Sequence, residues 1–127
     1  MFIGEFKQTI DKQGKLALPQ AYGAGLAAGL VVTRGFERNL MVFARREWRA
    51  LAEKVVEQSL FDGESRALRR RLFSNAAELV PDRNGRITLP ASLCEFAGLE
   101  GQAVMTGMYD YLEIWSGESW EEVNGSL

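Results

Sequence analysis

Apolar and polar positions change rhythm along this chain, and each change outlines a short element. Residues 2–10 mix apolar and polar positions among β-formers, which predicts a first strand. Positions 11–14 predict a turn: the Asp11 carboxylate can accept from backbone amides ahead of it, and Gly14 suits a positive φ. Leu16-Ala17-Leu18 predicts a short second strand. Pro19 stops it, holds Leu18 extended and starts a helix at its first position. Gly and Ala dominate positions 21–29, so that helix is expected to be short and weak.

Leu30-Val31-Val32-Thr33 and Leu40-Met41-Val42-Phe43 read as strands joined by a turn over positions 35–39. Trp48, Leu51, Val55 and Val56 then recur at helical spacing and give one apolar face. After a break at Asp62-Gly63, a second helix carries Leu68 and Leu72 between Arg66, Arg69, Arg70 and Arg71. The pattern restarts at Leu79-Val80, with a turn at 82–85, a strand at Ile87-Thr88-Leu89 and a short helix over 90–97. Strands at 103–106 and 111–115 flank a turn at 107–110. A last helix over 118–123 places Trp120 where the first half has Trp48. The whole is an α+β pattern of short, mostly antiparallel strands, and neither half has enough strand to close a core alone.

The restart is a repeat in residues as well as in rhythm. Asp11-Lys12-Gln13-Gly14-Lys15-Leu16-Ala17-Leu18-Pro19 returns 71 positions later as Asp82-Arg83-Asn84-Gly85-Arg86-Ile87-Thr88-Leu89-Pro90. Backbone geometry accounts for Asp and Gly, but a turn does not need the basic residues at its second and fifth places. Lys12, Lys15, Arg83 and Arg86 are therefore candidates for contact with an anion, and nucleic acid leads. Arg can make two parallel bonds to guanine O6 and N7, and a two-stranded ribbon fits the width of the major groove.

Bulk composition narrows the classes. The 127 residues fit one domain, and 46% hydrophobic with 25% charged residues is ordinary for a globular protein. No apolar run approaches the roughly 18 residues of a membrane span, and the N-terminus lacks the pattern of a signal peptide. Histidine is absent and Cys94 is the single cysteine, which removes the usual triads, disfavours a zinc site and suits a reducing cytoplasm. A net charge of −2 looks wrong for a nucleic-acid binder, yet all 15 basic residues lie at or before Arg86, with 10 of the 17 acids. That asymmetry permits a basic face on an acidic protein.

The residues also carry a family likeness. The two repeated phrases, with Glu47-Trp48, Arg70-Arg71-Leu72-Phe73-Ser74, Ala76, Glu78, Ala97-Gly98-Leu99, Gly107 and Glu113-Ile114-Trp115, resemble the MraZ family of bacterial transcriptional regulators over nearly the whole chain. The resemblance implies two tandem swapped-hairpin halves of the SpoVT/AbrB type, forming one small barrel-like domain with flanking helices. On this view residues 1–60 are the first half, 61–76 a helical connector and 77–127 the second half. It implies a cytoplasmic, nucleoid-associated repressor of the division and cell-wall gene cluster. Its partners would be double-stranded DNA, at short direct repeats in its own promoter, and itself, as a ring-like homo-oligomer. No cofactor, metal, membrane or small-molecule substrate is expected.

The family's DNA-reading arginines fall on Lys15 and Arg86, with Lys12 and Arg83 beside them. Lys15 departs from the pattern and loses the fixed two-pronged geometry of arginine. The family's arginine four residues after the Leu-Pro proline is replaced here by Gly23 and Cys94.

Other conspicuous residues invite plainer readings. Three consecutive arginines on a helix point in different directions, so Arg69, Arg70 and Arg71 are expected to serve packing and subunit contact. Trp48, Trp115 and Trp120 lie among apolar residues and are expected to pack, and Cys94 to behave as a small apolar side chain. Two alternatives remain: a structural or adaptor homo-oligomer without DNA-specific activity, and, ranked last, an enzyme using carboxylates. The repeated Asp residues are already occupied by their turns, and nothing nominates a substrate pocket, so no catalytic residue is assigned.

Overall fold

The computed structural model describes residues 1–125; the last two positions of the expected 77–127 half lie outside the described residues. Strands β1 (Glu5–Ile10) and β2 (Lys15–Ala17) lead into α1 (Gln20–Leu26), β3 (Leu30–Arg34), β4 (Leu40–Ala44) and α2 (Arg45–Val56). Helix α3 (Gly63–Phe73) then precedes β5 (Ala77–Leu79), β6 (Arg86–Thr88), α4 (Ala91–Ala97), β7 (Gly101–Gly107), β8 (Leu112–Ser116) and α5 (Gly117–Gly125). The strand order β5-β3-β4-β8-β7-β1-β2-β6 gives an eight-stranded, wholly antiparallel, nearly closed barrel, and the α+β expectation holds.

Each half borrows its partners from the other. Strand β1 touches β2 through one pair, Ile10 with Leu16, yet runs six pairs along β7. Strand β2 pairs with β6, β3 with β5, and β4 with β8. The repeat is thus a pseudo-two-fold axis, passing between Leu16 and Ile87 at one end and Met41 and Glu113 at the other. The arms β1–β2 and β5–β6 are exchanged across it, as the swapped-hairpin expectation has it, while β3–β4 and β7–β8 close locally.

Alternation assigns the faces. Leu40 and Val42 point into the barrel with Leu16, Ile87, Met105 and Ile114, all essentially inaccessible. Met41 and Phe43, on the opposite face of β4, meet Val55, Leu72 and Trp48 of the covering helices. That two-sided burial explains why β4 reads as an unbroken apolar run. Phe43 leans on Trp48 (ring centroids 5.6 Å apart) and stacks on Tyr111 (5.2 Å).

Several boundaries differ from expectation. Residue Phe2 makes only an isolated bridge to Tyr109, so β1 begins at Glu5. Strand β2 ends at Ala17, because Leu18 donates its amide to Gly85 O (2.9 Å) in the other half. The prolines sit one place earlier than predicted: Pro19 (ψ 140°) and Pro90 (ψ 143°) are extended caps, and the helices start after them. Among the described residues, no helix is long and apolar enough to cross a membrane.

Candidate nucleic-acid interface

The two repeated turns are built by the same bonds. Asp11 Oδ1 accepts from the amides of Gln13 and Lys15, both at 2.9 Å. Asp82 Oδ1 accepts from those of Asn84 (2.9 Å) and Arg86 (3.0 Å). Each turn is closed by the glycine amide donating to the aspartate carbonyl, at 3.0 Å for Gly14 and 2.9 Å for Gly85. Positive φ values of 85° and 72° at these positions are the left-handed conformation that glycine enters without a Cβ penalty. The Arg86 amide, then that of Asn84, with the charges of Lys15 and Arg86, holds the Asp82 carboxyl below its ordinary range.

Those turns meet. Gly85 O receives the Leu18 amide and Gly14 O receives the Leu89 amide at 2.8 Å, so each glycine fastens the other half's strand end. Between them β2 and β6 form a two-stranded ribbon with Lys15 opposite Thr88, Leu16 opposite Ile87 and Ala17 opposite Arg86. Leu16 and Ile87, each 2% exposed, point inward, which turns Lys15, Ala17, Arg86 and Thr88 outward together. A slip of one residue would expose both apolar side chains, at about 1.5–3 kcal/mol each, and bury two charges. The register is fixed by that difference.

Lys15 and Arg86 are diagonal neighbours on this face, a relation that places residues about 7–8 Å apart. That spacing matches about two base steps of a DNA strand at roughly 3.4 Å each. Lys12 and Arg83 stand exposed on the flanking tips. None of the four basic side chains donates a hydrogen bond within the described residues. A concavity of about 270 Å³ lies beside the ribbon, lined by Gln8, Thr9, Asp11, Lys15, Ala17 and Arg86 among others. The swapped strands merge the two turns into one surface and bring Gln8 and Thr9, which no motif in the chain marks, beside it.

The comparisons with known proteins agree with this architecture. The family model described as "MraZ protein, putative antitoxin-like" matches twice, at residues 1–71 and 72–125. The chain belongs to the MraZ family. A transcriptional regulator MraZ from Roseiflexus castenholzii is 46% identical over the entire chain and 89% of its own length. The one from Herpetosiphon aurantiacus is 45% identical over the same shares. That of Rhodococcus jostii is 40% identical over 95% of this chain and 85% of its own. These relatives are named as regulators and not as enzymes.

In this member of the MraZ family the halves are unequal around the turns. A Cβ added at Gly14 would stand 2.6 Å from Leu89 O and 3.3 Å from Cys94 Sγ; one added at Gly85 would meet nothing within 4 Å. The repeat offset that carries Gly85 back to Gly14 carries Cys94 back to Gly23, so the second turn lacks the thiol contact, and the backbone carbonyl that crowds Gly14 has no counterpart within 4 Å of Gly85. Cys94 is half-buried and its thiol is pushed above its ordinary pKa by burial, as suits a packing residue.

Arg69 and Arg71 of the arginine run, and Arg66 before it, have partners within the chain. Arg71 donates twice to Gly35 O (3.1 and 2.7 Å) and lies over the rings of Phe36 and Phe96. Arg69 donates to Val56 O (2.9 Å) and Arg66 to Leu60 O (2.7 Å). These bonds tie α3 to its surroundings, away from the ribbon. The tryptophans pack as expected: Trp48 meets Phe73 edge-on (5.8 Å) and Trp115 leans on Trp120 (5.9 Å).

Proposed function

We propose that the protein is a DNA-binding transcriptional regulator that inserts the β2–β6 ribbon into the major groove. The observation that carries this reading is the placement of Lys15 and Arg86, one from each half, on a single outward face with free donors. Arg86 supplies the two-pronged contact to guanine, Lys15 a single-point contact to a base edge or phosphate, and Lys12 and Arg83 grip the flanking phosphates. The acidic balance of the whole chain does not oppose this, because all its bases lie at or before Arg86; of the seven acids beyond, Glu100 lines a concavity beside the first turn with Asp11 and Lys12.

The finer reading is a cytoplasmic, nucleoid-associated repressor of the division and cell-wall gene cluster, acting at direct repeats in its own promoter. One ribbon makes few bonds, so a ring-like homo-oligomer presenting several ribbons at intervals gains affinity through effective concentration. Residues 1–60 and 77–127 serve as the two halves and 61–76 as the helical connector between them.

A gel-shift titration with the DNA upstream of the protein's own gene, run across a salt series, tests the proposal. Each phosphate contact contributes about −0.9 to the slope of log affinity against log salt, so a steep slope is expected. Arg86→Ala should weaken binding by on the order of tenfold or more at unchanged mass by light scattering, the loss of about 1–3 kcal/mol expected for one bidentate base contact. Lys15→Arg should preserve or tighten binding. Weak, salt-independent binding would instead leave a structural or adaptor oligomer of the same fold.

A further inference from the structure

Helices α2 and α3 lie over the outer face of β4 without closing on it. A cavity of about 350 Å³ opens between them, a size usual for small-molecule sites. Its floor follows from strand alternation: Leu40 and Val42 fill the barrel, so Met41 and Phe43 point outward and line the cavity. Leu51 of α2 and Leu72 of α3 stand over them, and the ring of Phe36, 59% exposed, forms part of the edge. Met41 and Glu113 mark the end of the pseudo-two-fold axis away from the β2–β6 ribbon. The cavity is therefore no part of the surface assigned to DNA.

Polar groups gather at one end of this apolar space. Phe43 stacks on Tyr111 there, and Glu47, in the first turn of α2, and Asp110 bring two carboxylates to the same lining. Burial, then the charges of Glu113, Asp110 and Glu37, holds the Tyr111 hydroxyl above its ordinary pKa, so more than one carboxylate acts on this mouth. The base in the lining, Lys54, lies seven residues after Glu47, about 10 Å along the helix axis. It borders an adjoining hollow that Asp62 and Glu64 also line. The Tyr111 end is thus negative, and the faces of its rings attract cations as well.

We propose that this cavity binds a small cationic amphiphile: a ring-sized apolar body against Met41, Phe43 and Leu72, and a protonated amine at the mouth facing Glu47, Asp110 and Tyr111. The apolar walls supply affinity, and the carboxylates choose the sign of the charge. An anionic ligand of the same shape meets like charges, and a neutral one leaves the carboxylates without a partner.

The test is methionine-methyl NMR on the full chain. Of the four methionines, Met41 lines the cavity, Met105 is sealed in the barrel and Met1 is exposed, so the last two serve as controls. The probes are 1-naphthylmethylamine, 1-naphthylmethanol and 1-naphthylacetate, which share a ring and a methylene and differ in charge. The amine should move the Met41 signal saturably and leave Met1 and Met105 in place. The alcohol should bind on the order of fivefold more weakly, and the acetate more weakly still. Glu47→Gln and Asp110→Asn should each weaken the amine by about two- to fivefold and leave the alcohol unchanged. Ala50→Trp, which brings a ring to the lining from α2, should abolish the Met41 response. If that protein fails to fold, the two carboxylate variants still decide. A Met41 signal unmoved by all three probes overturns the inference, as does an acetate that binds as tightly as the amine. So does an amine preference unchanged in Glu47→Gln/Asp110→Asn. A Met41 signal that responds to dilution of the protein and not to the amine assigns the cavity to a second copy and also overturns it.

Discussion

At the scale of single residues, the repeated glycines separate two effects that usually travel together. Both adopt positive φ, so a side chain at either is strained by about 1–2 kcal/mol. Only Gly14 is also crowded by rigid backbone, the carbonyl of Leu89 at 2.6 Å from an added Cβ. Gly85→Ala should therefore show the conformational cost alone, and Gly14→Ala a further 1–3 kcal/mol or so of overpacking. Urea denaturation midpoints measure the difference, and equal losses would refute the crowding. Gly and Asp at these positions were legible from the turn chemistry. The inequality between the two copies was not, because it depends on how closely the other half's backbone approaches: the Leu89 carbonyl crowds Gly14, and nothing comes within 4 Å at Gly85.

Among the elements, the turn before β6 is held by a carboxylate whose charged form is favoured by the amides of Arg86 and Asn84. A folded-state pKa below the unfolded one adds stability that is present above the ordinary carboxylate range and lost as pH falls through the depressed value. Asp82→Asn should therefore flatten the loss of stability on acidification, measured by chemical denaturation over a pH series from neutral to acid. Glu113 works with the opposite sign. Burial raises its pKa, although Trp115 Nε1 donates to it at 3.0 Å, so its contribution falls as pH rises through the raised value. A steepened acid transition in Asp82→Asn would show that the turn carboxylate is not the group responsible. Helix α3 was visible from its apolar spacing and from Asp62, whose side chain accepts the Glu64 amide. Its arginines were expected to pack, but their partners at Gly35, Val56 and Leu60 are carbonyls at turns and helix ends that no periodicity marks.

The whole molecule is one barrel made by two incomplete halves. Separated as fragments 1–76 and 77–127, each would keep one local hairpin, β3 with β4 or β7 with β8, and lose the pairs that join the halves. A lone two-stranded hairpin is marginal in water. Neither fragment should show a cooperative thermal transition by circular dichroism, whereas an equimolar mixture should recover one. A fragment that melts cooperatively alone would mean that the swapped pairing contributes less than the local hairpins.

The sequence by itself determined the α+β class, the repeat, both Asp-x-x-Gly turns and the four basic positions, because each follows from local chemistry or from comparing the chain with itself. Which strands pair, and hence that Lys15 and Arg86 share one face, was decided only in three dimensions. Strand partners are chosen by which apolar faces can be buried together, and here a six-pair ladder with β7 and a barrel core prevail over the single pair that β1 makes with its neighbour β2.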